Sequence, residues 1–301
     1  MSSFPQLITA ADINLPLEKW IINNKSEFLS QKAVYGAVLL RDFQISSVEQ
    51  FESFINLFTQ ETIEYNLRSS PRYAVGKNIY NTTTYPKEYT INMHSESSYA
   101  PDHPEHIVFC CVNPADKDGE TPIADNRKVL EYLSDKTKNK FLERGVKYLR
   151  NLNKDLGLSW QEVFQTTDKA VVEADCIERG IDFLWKSEKQ LVLTWTKKAI
   201  WEHPVTGEMA WFNHAFFFNK YSLDPDFLDL IESDDELPNN TFYGDGTEIL
   251  AEEIDEIREA YRKATVEFPW QKGDVLFLDN MLVSHGRNSY VGDRKIIASL
   301  F

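Results

Sequence analysis

The tripeptide His94-Ser95-Glu96 and the distant His285 bring two imidazoles and one carboxylate into a chain of 301 residues. Together they make a full set of protein ligands for a non-haem iron, because three donors on one face of an octahedral ion leave the opposite face for a cosubstrate and dioxygen. Side chains two apart on an extended strand point the same way. A strand running through 94–96 would therefore let His94 and Glu96 grip one metal, and the chemistry expected of such a centre is oxidative. H-x-E alone is a short pattern that a hydrogen-bonded strand histidine satisfies equally well. It stands in ordered company, however: Asp118-Gly119-Glu120-Thr121-Pro122, then Asp279-Asn280, His285-Gly286-Arg287 and Gly292-Asp293-Arg294 before a last apolar strand.

These groups need elements to hold them. Leu17, Trp20 and Ile21 recur at helical spacing, and the apolar run Ala37 to Leu40 that follows reads as a strand. Ser46 to Thr59 reads as a second amphipathic helix, capped by Ser46 with Glu49 three residues on. From Tyr73 to Ile91 the chain is rich in Tyr, Thr and Asn, suiting loops and short strands that line a pocket. His106 to Val112 reads as a buried strand ended by Pro114, and Asp125 to Arg144 as two helices capped by Asp125 or Asn126. Strands are expected over Val146 to Leu152, Gln190 to Thr196, Met209 to Phe218 and Val275 to Leu278, with turns at His203-Pro204 and Lys272-Gly273-Asp274. Thr247 to Thr265 reads as a helix with acids toward its start and Arg258, Arg262 and Lys263 toward its end. Helices do not alternate with strands in β-α-β units, so one domain over 1–301, mainly β with flanking helices on an antiparallel core, is expected.

Composition bounds the function. With 42% hydrophobic and 26% charged residues the chain reads as soluble and globular, and its net charge of -15 disfavours nucleic acid and anionic membrane as partners. No window approaches the ~18 apolar residues of a membrane helix, and the N-terminus lacks a signal-peptide pattern. The expected compartment is the cytoplasm, which makes the sequons at Asn81 and Asn239 chance matches. Cys110 and Cys111 lie in an apolar run whose alternation sends them to opposite faces, as small core residues in a reducing compartment.

At its motifs the chain resembles the taurine dioxygenase family of iron(II)- and 2-oxoglutarate-dependent oxygenases. It is most similar there to the branch of antibiotic and siderophore hydroxylases that includes the syringomycin aspartyl hydroxylase. The resemblance runs from about Gly36 to Phe301 through Tyr80 to Pro86, the H-x-E, Gly119 to Asp125, Ser159-Trp160-Gln161, His203-Pro204, Trp211-Phe212-Asn213, Gly244-Asp245-Gly246 and His285-Gly286-Arg287. It implies a double-stranded β-helix, or jelly roll, with Fe(II) between its sheets, bound by His94, Glu96 and His285. Glu96 stands where many relatives have aspartate, and a carboxylate there disfavours a halogenase. Arg294, aided by Thr121, matches the residue that binds the far carboxylate of 2-oxoglutarate; a guanidinium fork suits that task because it meets both oxygens in one plane. Arg287 is a second candidate for a carboxylate of either ligand. For both arginines a surface salt bridge is the plain alternative. His214 stands where many relatives carry glutamine, marking either a substrate contact or local repacking.

The resemblance further implies that 2-oxoglutarate and O2 yield succinate and carbon dioxide while hydrogen is taken from an unactivated carbon. The leading reading is hydroxylation of an amino acid or amino-acid-derived metabolite, free or presented on a peptidyl carrier protein; desaturation, epoxidation and cyclisation would use the same ligands. Asn78 to Thr84 and Trp211 to Phe217 are candidate pocket walls. His103 and His106 suit loop roles and His203 a structural one, while Lys197-Lys198 is a candidate basic patch for a carrier domain. Two other classes stay open: a non-catalytic jelly-roll binder, and a zinc hydrolase or isomerase using the same three residues. Oligomeric state is left undetermined.

Overall fold

The structure, a computed structural model, describes residues 4–13, 15–60, 74–82, 85–155, 157–228, 231 and 233–301. Two sheets face one another around the candidate site. The larger has seven strands in the order Gln6–Thr9, Ala37–Arg41, Val275–Asp279, His106–Asn113, Lys295–Leu300, Ile79–Asn81 and Ala74–Gly76. The smaller has four: Thr265–Val266, Ile123–Asp125, Val283–Arg287 and Ile91–His94. In these two sheets only Gln6–Thr9 with Ala37–Arg41 pairs parallel; the other pairs are antiparallel. The jelly-roll core expected from the resemblance is what the chain builds.

Strand alternation sorts the core into two layers. Ile107, Phe109, Cys111, Leu276 and Leu278 point inward and meet Ile123 and Val283 of the small sheet. Val108, Cys110, Val275 and Phe277 point outward, under Ile21 and Phe28 of the helix Leu17–Tyr35 and Phe51 and Phe54 of the helix Val48–Ile55. Cys110 and Cys111 thus serve separate layers, both as buried free thiols. Truncating a wholly buried aromatic such as Phe277 costs on the order of 3–5 kcal/mol, so these layers hold the site's walls firmly.

A third sheet, Asp182–Trp185, Leu191–Lys197, Val146–Leu152 and Asn239–Tyr243, packs with the helices Asn126–Tyr132, Asp135–Arg144 and Ala251–Ala264 into one apolar cluster. Asp182–Trp185, Asn239–Tyr243 and the helices Trp160–Phe164 and Lys169–Glu178 were not among the expected elements. Thr241 of the second sequon is buried in that sheet, and Thr83 of the first lies outside the described residues. No helix of the described residues is long and apolar enough to cross a membrane.

Several boundaries differ from expectation, each for a local reason. The second helix is capped by Ser47, not Ser46: Ser47 Oγ accepts from Gln50 N–H at 3.2 Å, and Gln50 Oε1 accepts from Ser46 N–H at 2.9 Å. The strand expected over 209–218 stops at Trp211. Asn213 turns the chain there, donating to the Ala199 carbonyl and accepting from Ala215 N–H, both at 2.8 Å. The late helix begins at Ala251, since Thr247 is tied to Asp245 Oδ1 by its backbone at 2.9 Å and its hydroxyl at 2.6 Å.

Among the histidines, His106 opens its strand, as the reading of His106 to Val112 expects and its suggested loop role does not, and sits 3.2 Å from Lys32 Nζ, while His103 lies in a loop against Phe212. His203 is structural: it faces Asp279 at 3.3 Å and accepts from Thr206 N–H at 3.1 Å. Lys197 does not form a surface patch with Lys198. Its ammonium turns inward to the carbonyls of Ser98 and Ala100, and burial lowers its pKa to about 8.

Candidate active site

His94 and His285 are register partners in the small sheet, directly opposite one another on adjacent antiparallel strands. Opposed side chains there have Cβ atoms ~4.5–5.5 Å apart, and the two rings stand 4.4 Å centroid to centroid. Glu96 arrives by a different route from the one expected. The strand ends at His94, residues 96–99 form a turn, and Ser97 takes a φ of 53°. Alternation along one strand therefore does not align His94 and Glu96; the turn does, and Asn280 holds it. Asn280 Oδ1 accepts from Glu96 N–H at 2.8 Å, and its Nδ2 donates to the carbonyls of Glu96 at 2.9 Å and Pro104 at 2.8 Å.

One donor atom from each of His94, Glu96 and His285 lies within 4.8 Å of the others. Donors bonded at ~2.0–2.2 Å on one face of an octahedral ion sit ~3 Å apart, so side-chain rotations would draw this set together around a metal. His94 Nδ1 lies 2.9 Å from the Asn92 carbonyl, which can only accept. The proton therefore sits on Nδ1, and Nε2 keeps the lone pair that a metal needs. Two imidazoles and a carboxylate suit iron(II), and on one face of the ion they would leave the opposite face open.

The cavity around this triad holds about 610 Å³, within the ~300–1,000 Å³ of small-molecule sites. Phe109 packs on His285 at 5.0 Å and Phe217 on His94 at 4.5 Å. Arg294 reaches into it with Nε donating to the Gly119 carbonyl at 2.8 Å and Nη2 to Thr121 Oγ1 at 3.1 Å. Trp270 Nε1 also donates to Thr121 Oγ1 at 3.1 Å. A hydroxyl that accepts twice keeps its own proton for a ligand. No carboxylate among the described residues pairs with Arg294; burial, and then Arg287 nearby, push its pKa down. Such a guanidinium is poised for an anion.

Arg287 is held by a loop. It is 5% exposed and lines the cavity, but it donates to three carbonyls, Tyr85 at 2.8 Å, Pro86 at 2.6 Å and Tyr89 at 2.7 Å. Its contacts within the described residues are thus with a loop, whose closely spaced carbonyl oxygens the planar fork fits as it fits those of a carboxylate. The expected pocket walls hold in part. Tyr80, Asn81 and Thr82 line the cavity, as do His214 and Phe217, whereas Trp211 and Phe212 are core and residues 83–84 lie outside the described residues. His214 is buried, with Nδ1 2.6 Å from Ser98 Oγ and its ring against Tyr99 and Phe218. Burial, and then His94 beside it, hold its pKa well below the ordinary value, so it meets the cavity as a neutral imidazole. Asn280 and Asn92 had no expected role. Asn92 acts through its own carbonyl, two residues before His94, whereas the Asn280 amide reaches the Glu96 backbone from far along the chain, a proximity no sequence pattern displays.

A family model described as "Taurine catabolism dioxygenase TauD, TfdA family" matches residues 2–300, a longer stretch than the motifs alone span. The dapdiamide synthesis protein DdaC of Enterobacter agglomerans is 38% identical over 298 residues, covering 98% of this chain and 90% of that one. A clavaminate synthase-like protein of Arabidopsis thaliana is 26% identical over 298 residues, covering 96% and 88%. Among solved structures, PvcB of Pseudomonas aeruginosa shares the fold with a TM-score of 0.57 at 13% identity, covering 98% of this chain and 84% of that one. A taurine dioxygenase of Burkholderia xenovorans does so with a TM-score of 0.54 at 14% identity, covering 93% and 80%.

Proposed function

The chain belongs to the TauD, TfdA family and is an oxidoreductase that uses Fe(II), 2-oxoglutarate and O2; from that premise we propose that it hydroxylates an unactivated carbon of an amino acid or amino-acid-derived metabolite in natural-product biosynthesis. The substrate is free or carried on a peptidyl carrier protein, His94, Glu96 and His285 hold the iron, and Arg294 with Thr121 binds the far carboxylate of 2-oxoglutarate. The observation that carries this reading is the convergence of the three donors within 4.8 Å in a cavity that also holds a guanidinium with no carboxylate partner among the described residues. A relative named for dapdiamide synthesis supports the biosynthetic part.

Bound together, the metal and 2-oxoglutarate would activate O2, one oxygen atom leaving in the succinate formed with carbon dioxide and the other entering the substrate's C–H bond. The chain's own work is orientation and exclusion. Asn92 fixes the protonation of His94, and Asn280 fixes the turn that carries Glu96. The fork of Arg294 meets both oxygens of the distal carboxylate and the Thr121 proton adds a third contact. Phe109 and Phe217 cover the flanks of the two imidazoles and exclude water. His214 offers a neutral hydrogen-bonding edge near His94, suited to orienting a substrate.

The test has two arms. Adding Fe(II) and 2-oxoglutarate without oxygen should give a weak visible charge-transfer band that Glu96→Ala and His285→Ala abolish; a zinc hydrolase or a simple binder would give none. Succinate formation should then rise above background with one member of a panel of amino acids, each offered free and carrier-bound. A band that survives both substitutions would overturn the ligand assignment.

A further inference from the structure

Ser95 and Ser284 immediately adjoin His94 and His285; alternation along Val283–Arg287 turns Ser284 to the face opposite His285, and Ser95, just past the end of its strand, joins it there. There they meet Asn126, the first residue of the helix Asn126–Tyr132. All three are buried, at 1%, 0% and 0% exposure. Asn126 Nδ2 donates to the Met281 carbonyl at 2.8 Å, an acceptor only, which settles which way the amide lies. Its Oδ1 therefore accepts, and the Ser284 hydroxyl donates to it at 2.6 Å. With that proton committed, the 3.0 Å contact between the serines has one direction: Ser95 donates to Ser284. Asn126 Nδ2 closes the circuit by donating to Ser95 Oγ at 3.0 Å. The result is a three-membered ring with every bond running the same way round. In such a ring each donor polarises the next, and no member can turn without breaking two bonds. Tyr261, 3.4 Å from Ser284 Oγ, and the Asn126 N–H, 2.8 Å from the Leu282 carbonyl, anchor the ring to the core.

We propose that Asn126, Ser95 and Ser284 are positioning residues for the metal centre: their ring locks the two histidine-bearing strands together from behind and so sets the spacing of His94 and His285. This rests on the reading that those histidines bind the metal. It also gives the middle residue of His94-Ser95-Glu96 a reason to be serine. Its side chain serves the far face of the sheet while its neighbours serve the cavity.

Co(II), added to the metal-free full chain, reports the site by its visible absorption without needing a substrate. Asn126→Ala and Ser284→Ala should each raise the Co(II) dissociation constant about 10- to 100-fold and shift the absorption, as loss of outer-shell partners does. The double variant should be little worse than the weaker-binding single one, because both break the same ring. Thr137→Val is the control: Thr137 is equally buried and donates to Glu256 at 2.6 Å in a different part of the core. It should lower the melting temperature and leave Co(II) affinity unchanged. A folded Asn126→Ala that binds Co(II) like the wild type overturns the proposal, as does an equal loss of affinity in Thr137→Val. Should Asn126→Ala fail to fold, Ser95→Ala and Ser284→Ala, which each remove one hydroxyl, decide the matter by the same titration. A wild-type chain that takes up no Co(II) would overturn the metal reading itself, a result distinct from variants that bind normally.

Discussion

The side-chain amide of Asn280 serves Glu96 in the way a neighbouring strand would, accepting from its N–H at 2.8 Å and donating to its carbonyl at 2.9 Å. Asn280 is wholly buried and adjoins Asp279, whose carboxylate is held by Lys32 at 2.6 Å and faces His203 at 3.3 Å. Burial opposes ionisation of Asp279, but His203 and Lys32 prevail and keep it charged, well below the usual carboxylate range. The Glu96 turn is thus braced by a buried, charge-anchored corner.

Asn280→Ala should leave the polar atoms of that turn without partners, costing about 1–3 kcal/mol of stability, and should raise the metal dissociation constant about 10- to 100-fold. Thermal unfolding of the metal-free protein and a Co(II) titration separate the two effects. Normal Co(II) affinity in a destabilised variant would show that the turn finds its place without the amide.

Arg294→Met should weaken 2-oxoglutarate binding about 10- to 100-fold, the equivalent of a charge-assisted hydrogen bond worth about 1.5–3 kcal/mol. Thr121→Val removes one neutral donor and should cost about 2- to 10-fold. Both are read as the dissociation constant of 2-oxoglutarate from the anaerobic iron complex, with metal affinity unchanged. Equal affinity in Arg294→Met and wild type would remove Arg294 from the site.

Arg287 acts on the loop, so Arg287→Met should spare 2-oxoglutarate affinity relative to Arg294→Met while freeing the segment 85–90. Hydrogen exchange at Tyr89 and Thr90 should speed up about 10-fold or more, since three hydrogen bonds to that segment are lost. A 2-oxoglutarate affinity as low as that of Arg294→Met would show instead that Arg287 contacts the cosubstrate.

Burial, with Lys197 near His103, Lys32 near His106 and His94 near His214, holds these three imidazoles below their ordinary pKa of 6.5. The unfolded chain takes up protons as pH falls through 6.5 while the folded chain resists, so stability should drop below that pH. Each imidazole kept neutral contributes a slope of about 1.4 kcal/mol per pH unit. The Asp279 contribution is present above the ordinary carboxylate value of 3.8 and is lost only as pH falls below it, a separate window. Urea unfolding of the metal-free protein at about pH 7 and about pH 5.5 measures the first window, and His214→Gln should flatten it by about one proton. A stability equal at both pH values would contradict the placement of these rings.

Much of this protein is legible in its sequence because the relevant physics is local. Two-residue alternation assigns Cys110 and Cys111 to opposite layers, and the acid-to-base gradient from Glu252 to Lys263 marks a helix. Residue type says that His94, Glu96 and His285 could serve a ferrous centre, and the family resemblance of the motifs points to Arg294 and Thr121 for a dicarboxylate. Tertiary structure alone decides that His285 is the register partner of His94, that a turn and not a strand delivers Glu96, and that Arg287 grips three carbonyls. It also decides that Met209 to Phe218 bends after Trp211, because Asn213 finds the Ala199 carbonyl in the bend before the strand Ile200–Glu202. Propensity and periodicity act between near neighbours, whereas these contacts join residues far apart in the chain and exist only once the two sheets have packed. The chain encodes which groups can do the chemistry; the packing of the sheets sets how far apart they stand.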